Sequence, residues 1–280
     1  MSKRDRKMAE RIRKIQSDPS NAQIPRVESA GKVVDGHLVM HNGLRVQPMD
    51  PCYMQLLQSN RGCHEPQEEM VFQEVLNHIP ASGCMIELGA YWGFYSLWFA
   101  SRVDDAHCFL VEPEPNNLDV GKYNFALNQL TADFTVSKVG HRAWGADRFL
   151  AERQIDFVDV LHADIQGNEF EMLVDADQSL RAGRIGYVFV GTHSQDLHYR
   201  CKQLLQARDY VIIADADFTH GTFCADGVLV ARHRALPGVE PIDLPLREPH
   251  QPYTVRQSLR LLPRWPANGL TSLLTRRKSA

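Results

Sequence analysis

Seven short apolar runs between residues 84 and 231 constrain the fold of this chain more than any other feature. They read CMIEL, HCFLVE, DFTVS, DFVDVLHADI, IGYVFVG, YVIIAD and GVLVA. Each run is nearly continuous rather than alternating, which is typical of strands covered on both faces. Because helix-like segments fill most gaps, the pattern predicts an open, mostly parallel α/β sheet with helices on both faces. The last two runs have no helix between them and predict an antiparallel hairpin at one edge.

Composition limits the class of protein. A chain of 280 residues with 44% hydrophobic content can bury one large core. A net charge of −3 gives no general attraction to nucleic acid or anionic membrane, so we expect a small partner and no nucleic acid. The six cysteines form no C-x-x-C pair, and no segment resembles a membrane span or a signal peptide. These features predict a cytoplasmic protein.

The chain is predicted to have three parts. Residues 1–63 form a basic N-terminal helix and an extension, residues 64–236 form the α/β domain, and residues 237–280 form a tail rich in proline and arginine. The N-terminal helix is amphipathic and basic enough to contact phosphate or lipid headgroups. A solvated, partly frayed tail is the favoured alternative.

A glycine turn follows the first strand-like run. In Glu87-Leu88-Gly89-Ala90-Tyr91-Trp92-Gly93, the glycines let the backbone pass close to a ligand, and amides at the start of the next helix can bind polar groups. The dinucleotide fingerprint G-x-G-x-x-G is absent, which disfavours a nicotinamide cofactor. An ordinary turn between strand and helix is the alternative.

The second run ends in Glu112 and Pro113. A carboxylate at a strand end can accept hydrogen bonds from both hydroxyls of a ribose. A surface glutamate before a proline turn is the alternative. An acid at each strand end, a glycine turn and no phosphate loop together favour an adenosine ligand without a pyrophosphate, which is S-adenosylmethionine.

Three segments in this order resemble the FkbM-type family of S-adenosylmethionine-dependent methyltransferases. They are MIELGAYWGFYSLWFA, VEPEPNNLDVGKYNFALN and IDFVDVLHADIQGNEFEMLVDADQSL, and the resemblance extends from about residue 65 to residue 231. The family's first motif usually reads D-x-G-A-N-x-G, its second E-P-x-P followed by paired asparagines, and its third D-x-[EQ]-G-x-E. Asn124 and Asn128 supply the pair. Glu87 replaces the usual aspartate and Tyr91 the usual asparagine.

The resemblance implies a class I Rossmann-like fold of seven strands, the last antiparallel. It implies O-methyl transfer to hydroxyls of sugars, polyketides or related metabolites. The residues expected to bind the cofactor are Glu87, Gly89, Ala90, Tyr91, Gly93, Glu112 and Pro113.

Asp164 lies at the predicted carboxyl end of the fourth strand, where the acceptor hydroxyl is expected. Transfer to oxygen needs a base for the hydroxyl proton. The candidates are Asp164, His162 and His193, and we favour His193 as base or orienting group, with Asp164 as its partner. His193 as a helix-entry residue is the alternative, and His162 is expected to be a packed core histidine. A divalent metal bound by Asp164 with His193 or Glu169 is less favoured.

Two further groups carry weaker hypotheses. Asp215, Asp217, His220 and Asp226 resemble a metal site but are also typical of a polar turn. His64 and Glu65 are expected either to line the amino-acid end of the cofactor or to cap a helix. The alternatives to O-methyl transfer are N-methyl transfer and a non-catalytic binding scaffold.

Overall fold

A computed structural model describes residues 3–140 and 144–249. Its main feature is a seven-stranded sheet. The strands of this sheet are β4 (Cys84–Leu88), β5 (His107–Glu112), β6 (Asp133–Val136), β7 (Val158–Ala163), β8 (Ile185–Thr192), β9 (Tyr210–Ala216) and β10 (Gly227–His233). They coincide with the seven apolar runs of the sequence.

The strand order is β6-β5-β4-β7-β8-β10-β9. Neighbouring strands from β6 to β8 are parallel, whereas β10 runs antiparallel to both β8 and β9. The predicted hairpin of β9 and β10 therefore forms one edge of the sheet. β9 is the edge strand, and the antiparallel β10 lies between β9 and β8. The order reverses between β4 and β7, and ligands of open α/β sheets bind at such a switch point.

The two faces of the sheet carry separate apolar cores, as near-continuous apolar strands predict. On β4, Met85 packs into one core and Ile86 into the other. Both side chains are fully buried. The predicted fold class, a Rossmann-like sheet of mostly parallel strands covered on both faces, is confirmed.

Nine helices are described around the sheet. They are α1 (Lys3–Gln16), α2 (Pro51–Ser59), α3 (Pro66–Leu76), α4 (Phe94–Arg102), α5 (Pro115–Leu127), α6 (Ala146–Arg153), α7 (Glu169–Asp175), α8 (Asp177–Arg181) and α9 (Gln195–Gln206). Buried side chains of α1 to α5 pack into one core, and those of α6 to α9 into the other.

The N-terminal helix is docked on the domain, contrary to the favoured prediction of a frayed tail. Ile12 and Ile15 of α1 are buried, and Lys14 Nζ donates to the carbonyl oxygen of Cys224 at 2.6 Å. The apolar stripe that suggested a helix is thus the surface that docks it, because docking removes its two isoleucines from water.

The extension carries a small antiparallel sheet that the sequence did not predict. Its strands are β1 (Val33–Val34), β2 (His37–Val39) and β3 (Arg45–Val46). A 3₁₀ turn, Pro19–Gln23, precedes it. After β10, residues 237–249 pack back onto the sheet, with Val239 and Leu244 buried. The predicted tail beyond residue 249 lies outside the described residues.

In the described part of the chain, every helix is too short or too polar to cross a bilayer.

Candidate active site

The glycine turn between β4 and α4 is held tightly against the end of β7. Gly89 has a φ of +71°, and a Cβ atom there would lie 1.8 Å from the carbonyl oxygen of Asp164. The amide of Asp164 in turn donates to Leu88 O at 3.0 Å. Only glycine fits this position, because both the backbone conformation and the close approach exclude a side chain. The turn and Asp164 therefore form one unit.

Tyr91 adopts a left-handed backbone conformation, with a φ of +48°. Asparagine, which the resembled family usually has here, tolerates this region better than tyrosine does. The amide of Tyr91 donates to Glu112 Oε2 at 3.1 Å. Strained residues held in this way by their surroundings are concentrated at functional sites.

Glu112 is buried and organises the turn. Its Oε1 accepts hydrogen bonds from the Glu114 amide at 3.1 Å and from Asn117 Nδ2 at 3.0 Å, in addition to the Tyr91 bond on Oε2. An ionised carboxylate has about four acceptor positions. One position therefore remains on Oε2, which leaves room for a single ligand hydroxyl unless a protein bond is broken.

A pocket opens beside this turn at the switch point of the sheet, and we call it the switch-point pocket. Its aromatic walls are Tyr53, Tyr91, Trp92, Phe94 and Tyr95. Its carboxylates are Glu65, Glu68, Glu87, Asp164 and Asp226. Lysine and arginine are absent among the described residues that line it. The pocket thus favours a cationic ligand with apolar surface over a phosphate.

Buried glutamate–histidine pairs support the floor of the pocket. His64 Nδ1 lies 2.7 Å from Glu69 Oε1, and the other Glu69 oxygen lies 3.2 Å from His41 Nε2. Burial alone would lower the pKa of His64, but the charges of Glu65 and Glu69 raise it to about 9. Burial alone would raise the pKa of Glu69, but the charge and hydrogen bond of His64 lower it to about 2.

Two more acids, Glu65 and Glu68, reach the pocket from the start of α3. His162 Nε2 lies 2.6 Å from Glu68 Oε1, so this histidine is ion-paired rather than simply packed in the core as predicted. Glu65 accepts a hydrogen bond from the Tyr95 hydroxyl at 2.9 Å. Burial raises the pKa of Glu65 to about 7, so its charge changes near neutral pH.

Three polar side chains meet at the opposite wall, and we call them the Asp–His–Asp cluster: Asp164, His193 and Asp226. His193 Nε2 lies 3.1 Å from Asp164 Oδ1 and 3.2 Å from Asp226 Oδ1. Its other nitrogen, Nδ1, lies 2.8 Å from Oε1 of the fully buried Glu169. Among the described residues, these three form the only group of three or more potential metal ligands whose donor atoms all lie within 4.8 Å of one another.

The charges of this cluster decide which groups can move a proton. Burial acts to lower the pKa of His193, but the carboxylates of Asp164, Glu169 and Asp226 raise it to about 10. Without a bound cation, the imidazole is therefore protonated at neutral pH and is better suited to orient a ligand than to accept a proton. Burial and the charge of Asp164 raise the pKa of Asp226 to about 6.

The predicted site residues divide into two sets. Glu87, Gly89, Ala90, Tyr91 and Asp164 line the switch-point pocket, and His193 contacts its wall. Glu87 also accepts a hydrogen bond from the Ser96 amide at 2.9 Å.

The remaining predicted residues lie behind the turn, since none of them lines the pocket. They are Gly93, Glu112 and Pro113. A Cβ atom at Gly93 would lie 2.7 Å from Leu110 Cδ2, which accounts for that glycine by packing alone. The roles of both sets in binding and catalysis stay predictions.

The paired asparagines of the second motif hold the extension. Asn124 Oδ1 accepts from the Gln47 amide at 2.8 Å, and Asn128 Oδ1 accepts from the Arg45 amide at 3.0 Å. The Asn128 side chain also donates to Arg45 O at 2.7 Å. Asn124 lies in the last turn of α5 and Asn128 is its C-cap residue, so the two side chains contact β3 and the residue that follows it from the same end of the helix.

The polar residues between β9 and β10 do not form one site. Asp215 pairs with His198 at 2.9 Å and with Lys202, and Asp217 accepts from the His220 amide at 2.7 Å. Asp226 alone joins the cluster at the pocket.

Sequence reasoning placed Asp226 only in a weak metal-site hypothesis with residues between the last two strands. It missed that Asp226 lies beside His193 and Asp164, although one signal was present. Because β10 is antiparallel to β8, the first residue of β10 lies beside the last residue of β8, and Gly227 pairs with Thr192. The residues that flank this pair, Asp226 and His193, therefore meet. The resemblance implied that the last strand is antiparallel, but the pairing of that strand with β8 was not predicted.

Comparison with known proteins gives a family match for part of this chain. The sequence has no significant match among curated proteins. The model of the methyltransferase FkbM domain matches residues 146–212, a range that contains the third motif and His193 but not the glycine turn.

Several solved structures are similar to this chain. The ribosomal protein L11 methylase from Lactobacillus delbrueckii subsp. bulgaricus is 11% identical, with 61% of this chain and 81% of that chain covered at a TM-score of 0.44. The precorrin-6y C5,15-methyltransferase from Geobacter metallireducens is 12% identical, with 57% and 86% covered at a TM-score of 0.42. M. capricolum TrmK, in complex with S-adenosyl-homocysteine, is 10% identical, with 62% and 71% covered at a TM-score of 0.42.

The predicted resemblance to FkbM-type methyltransferases is therefore confirmed over residues 146–212, from the first residue of α6 into β9.

Proposed function

We propose that this protein is an S-adenosylmethionine-dependent methyltransferase that methylates a hydroxyl group of a small metabolite, sugar or glycan. The observation that carries the proposal is that the glycine turn and the Asp–His–Asp cluster open onto one pocket at the switch point. A cofactor site and an acceptor site must share a pocket, because methyl transfer needs donor and acceptor in line at near-attack distance.

The residues present fit this cofactor. Gly89 offers bare backbone at the turn, and the switch-point pocket combines aromatic rings with carboxylates but no described lysine or arginine. A sulfonium and an ammonium group are cations that such walls attract. Glu65, just before α3, and Glu68 on α3 would hold the cationic end, and Tyr91 and Trp92 would contact the ring system. A pyrophosphate would find no cation in this lining, which opposes a nicotinamide dinucleotide.

S-adenosylmethionine, when bound, would supply an electrophilic methyl group: a C–O bond would form as the C–S bond breaks with its electron pair on sulfur, and the hydroxyl proton would have to leave. The chain's own contribution is to orient that hydroxyl and accept its proton. Without a bound metal ion, His193 is an imidazolium between two carboxylates and orients the acceptor. In that state Asp226, with a pKa of about 6, is best matched to accept the proton near neutral pH.

An amine acceptor is the second candidate, and the acidic lining of the pocket favours it. Five carboxylates line the pocket that an acceptor would enter. They would attract a protonated amine, and one of them would take its proton before transfer. The nature of the methylated product, an ether or a methylamine, separates the two candidates.

The absence of a nucleic-acid partner stays a prediction.

Calorimetric titration with S-adenosylhomocysteine tests the cofactor assignment. The wild type should bind, and Glu65→Gln should bind at least about tenfold more weakly, because a charge-assisted contact of about 1.5–3 kcal/mol is lost. Glu114→Gln is the matched control, since Glu114 is exposed outside the pocket and its side chain makes no capping bond. It should bind like the wild type.

Incubation with S-adenosylmethionine and a panel of hydroxyl and amine compounds then tests the reaction. Mass spectrometry should detect a methyl ether as the product. Failure of the wild type to bind S-adenosylhomocysteine, or tight binding of NAD instead, would overturn the proposal and leave a binding scaffold as the function to test.

A further inference from the structure

The Asp–His–Asp cluster brings three electron-rich atoms together at the ends of three neighbouring strands. Asp164 follows β7, His193 follows β8, and Asp226 precedes the antiparallel β10. The donor atoms Asp164 Oδ1, His193 Nε2 and Asp226 Oδ1 all lie within 4.8 Å of one another. Strand ends are rigid supports, so the three atoms are held in place rather than brought together by chance on loops.

The orientation of His193 is fixed from behind. Its Nδ1 lies 2.8 Å from Oε1 of Glu169, and that oxygen also accepts the Gly167 amide at 3.0 Å and the Ile165 amide at 3.3 Å. A carboxylate behind a histidine selects the tautomer with the proton on Nδ1 and turns the Nε2 lone pair forward.

The front of the histidine lacks a matching partner. His193 Nε2 is buried and makes no well-directed hydrogen bond within the described residues, although two carboxylate oxygens lie 3.1 and 3.2 Å away. Behind it, the second oxygen of the fully buried Glu169 also has no hydrogen-bond partner in the described chain. Three lone-pair donors that face one another, backed by a third carboxylate, repel unless a positive charge lies among them, which is either a proton on His193 Nε2 or a metal ion in its place.

The separations match the coordination sphere of a small divalent ion. Two adjacent ligands of an octahedral ion at about 2.0–2.2 Å are about 3 Å apart. The two distances from Nε2 have this length. Two carboxylates and one imidazole are ligands that suit Mn²⁺ and also accept Mg²⁺. Three protein ligands leave other coordination positions open, and both aspartates line the switch-point pocket.

We propose that Asp164, His193 and Asp226 bind one divalent cation of the Mn²⁺ or Mg²⁺ class, whose open positions face the pocket and hold the acceptor oxygen. The part of this inference that concerns the acceptor rests on the proposed methyltransferase function, whereas the binding of the ion does not. The site differs from the sequence-based alternative, because Asp226 replaces Glu169 as a ligand and Glu169 supports His193 from behind.

Titration of the metal-free protein with Mn²⁺ tests the inference, with free Mn²⁺ measured by its electron paramagnetic resonance signal. The wild type should bind one Mn²⁺ per chain. Asp226→Asn and His193→Gln should each weaken binding at least about tenfold, because each removes a ligand while preserving side-chain size. Asp119→Asn is the control, since Asp119 is exposed on α5 and pairs only with Lys122 among described groups. It should bind like the wild type.

Two results would overturn the inference: no Mn²⁺ bound by the wild type at millimolar concentration, or wild-type affinity in Asp226→Asn. Far-UV circular dichroism of each variant separates loss of a ligand from loss of the fold. A parallel titration with S-adenosylhomocysteine separates the two proposals. If the wild type binds S-adenosylhomocysteine but does not bind Mn²⁺, the metal site alone is overturned. If it binds Mn²⁺ but does not bind S-adenosylhomocysteine, the cofactor assignment alone is overturned.

Discussion

The glycine turn provides the sharpest test of how this site is built. Gly89→Ala introduces one methyl group at a position where the backbone is left-handed and the space is filled. Gly36, in the turn between β1 and β2, has nearly the same φ, +79° against +71°, but an added Cβ atom there meets nothing within 4 Å. Gly36→Ala therefore carries the same backbone strain without the steric conflict.

The magnitude follows from the contact at Asp164. A Cβ atom on Gly89 would lie 1.8 Å from Asp164 O, where ordinary contact begins near 3.4 Å, so the two strand ends must separate by about 1.6 Å. The left-handed conformation costs an alanine about 1–2 kcal/mol. Overpacking adds about 1–3 kcal/mol. Two backbone hydrogen bonds at this point, from Gly89 to Val111 O and from Asp164 to Leu88 O, are each worth about 0.5–1.5 kcal/mol and would weaken.

We therefore expect Gly36→Ala to lower the free energy of unfolding by about 1–2 kcal/mol, from backbone strain alone. Gly89→Ala should lower it by at least about 2 kcal/mol more, because overpacking and weakened hydrogen bonds add to the same strain. Urea denaturation followed by far-UV circular dichroism measures both. Equal losses in the two variants would refute the reasoning, because they would show that the turn is not fixed by its contact with Asp164 O.

Three further predictions concern the supports of the site. Ile15→Ala should lower the free energy of unfolding by about 2–4 kcal/mol, because Ile15 is fully buried, whereas the exposed Arg13→Ala should change it little; equal effects in urea denaturation would mean that α1 is not docked. Asn128→Ala should lower the free energy of unfolding by about 1–3 kcal/mol, because it leaves backbone groups of β3 unpaired, whereas Asn116→Ala, at an exposed position, should not lower it. Amide hydrogen exchange should become faster in β3 only in Asn128→Ala. The pKa of His64 is raised to about 9, so the stabilisation from its charge is complete below pH 6.5 and is lost as the pH rises toward 9. Urea denaturation between pH 6.5 and 8.5 should show that the free energy of unfolding declines with pH, and that the decline is shallower in His64→Gln. Parallel slopes in the two proteins would contradict the assignment.

The sequence predicts the sheet well because each strand is its own signal. The seven apolar runs become the seven strands, since a strand buried on both faces must be apolar at nearly every position. Gly89 and Asp164 are equally local signals. One lies directly after β4 and the other directly after β7, and carboxyl ends of adjacent parallel strands meet at one edge.

The sequence predicts α1 less well because docking depends on a partner surface. The stripe of Ile12 and Ile15 is visible in the sequence, but the apolar cavity that receives it is assembled from distant segments. The same limit applies to the hydrogen bonds of Glu112, whose donors lie in other segments of the chain. Its position at a strand end is predictable, whereas the three donors that occupy it come from a strained turn and from the start of α5.

The acidic character of the pocket is the property that sequence reasoning had least chance of finding, and it follows from helix geometry. Glu65, Glu68 and Glu69 precede an apolar run and read as the charged first turn of a helix, which is the usual reason for acids there. In the folded chain this first turn is buried against the sheet, so each carboxylate must find a partner or a changed pKa. Glu68 and Glu69 pair with histidines, whereas Glu65 shares His64 with Glu69 and, with a pKa of about 7, lacks a full counter-charge. A cationic ligand in the switch-point pocket would supply that charge, which is why the buried acids and the proposed cofactor support the same function.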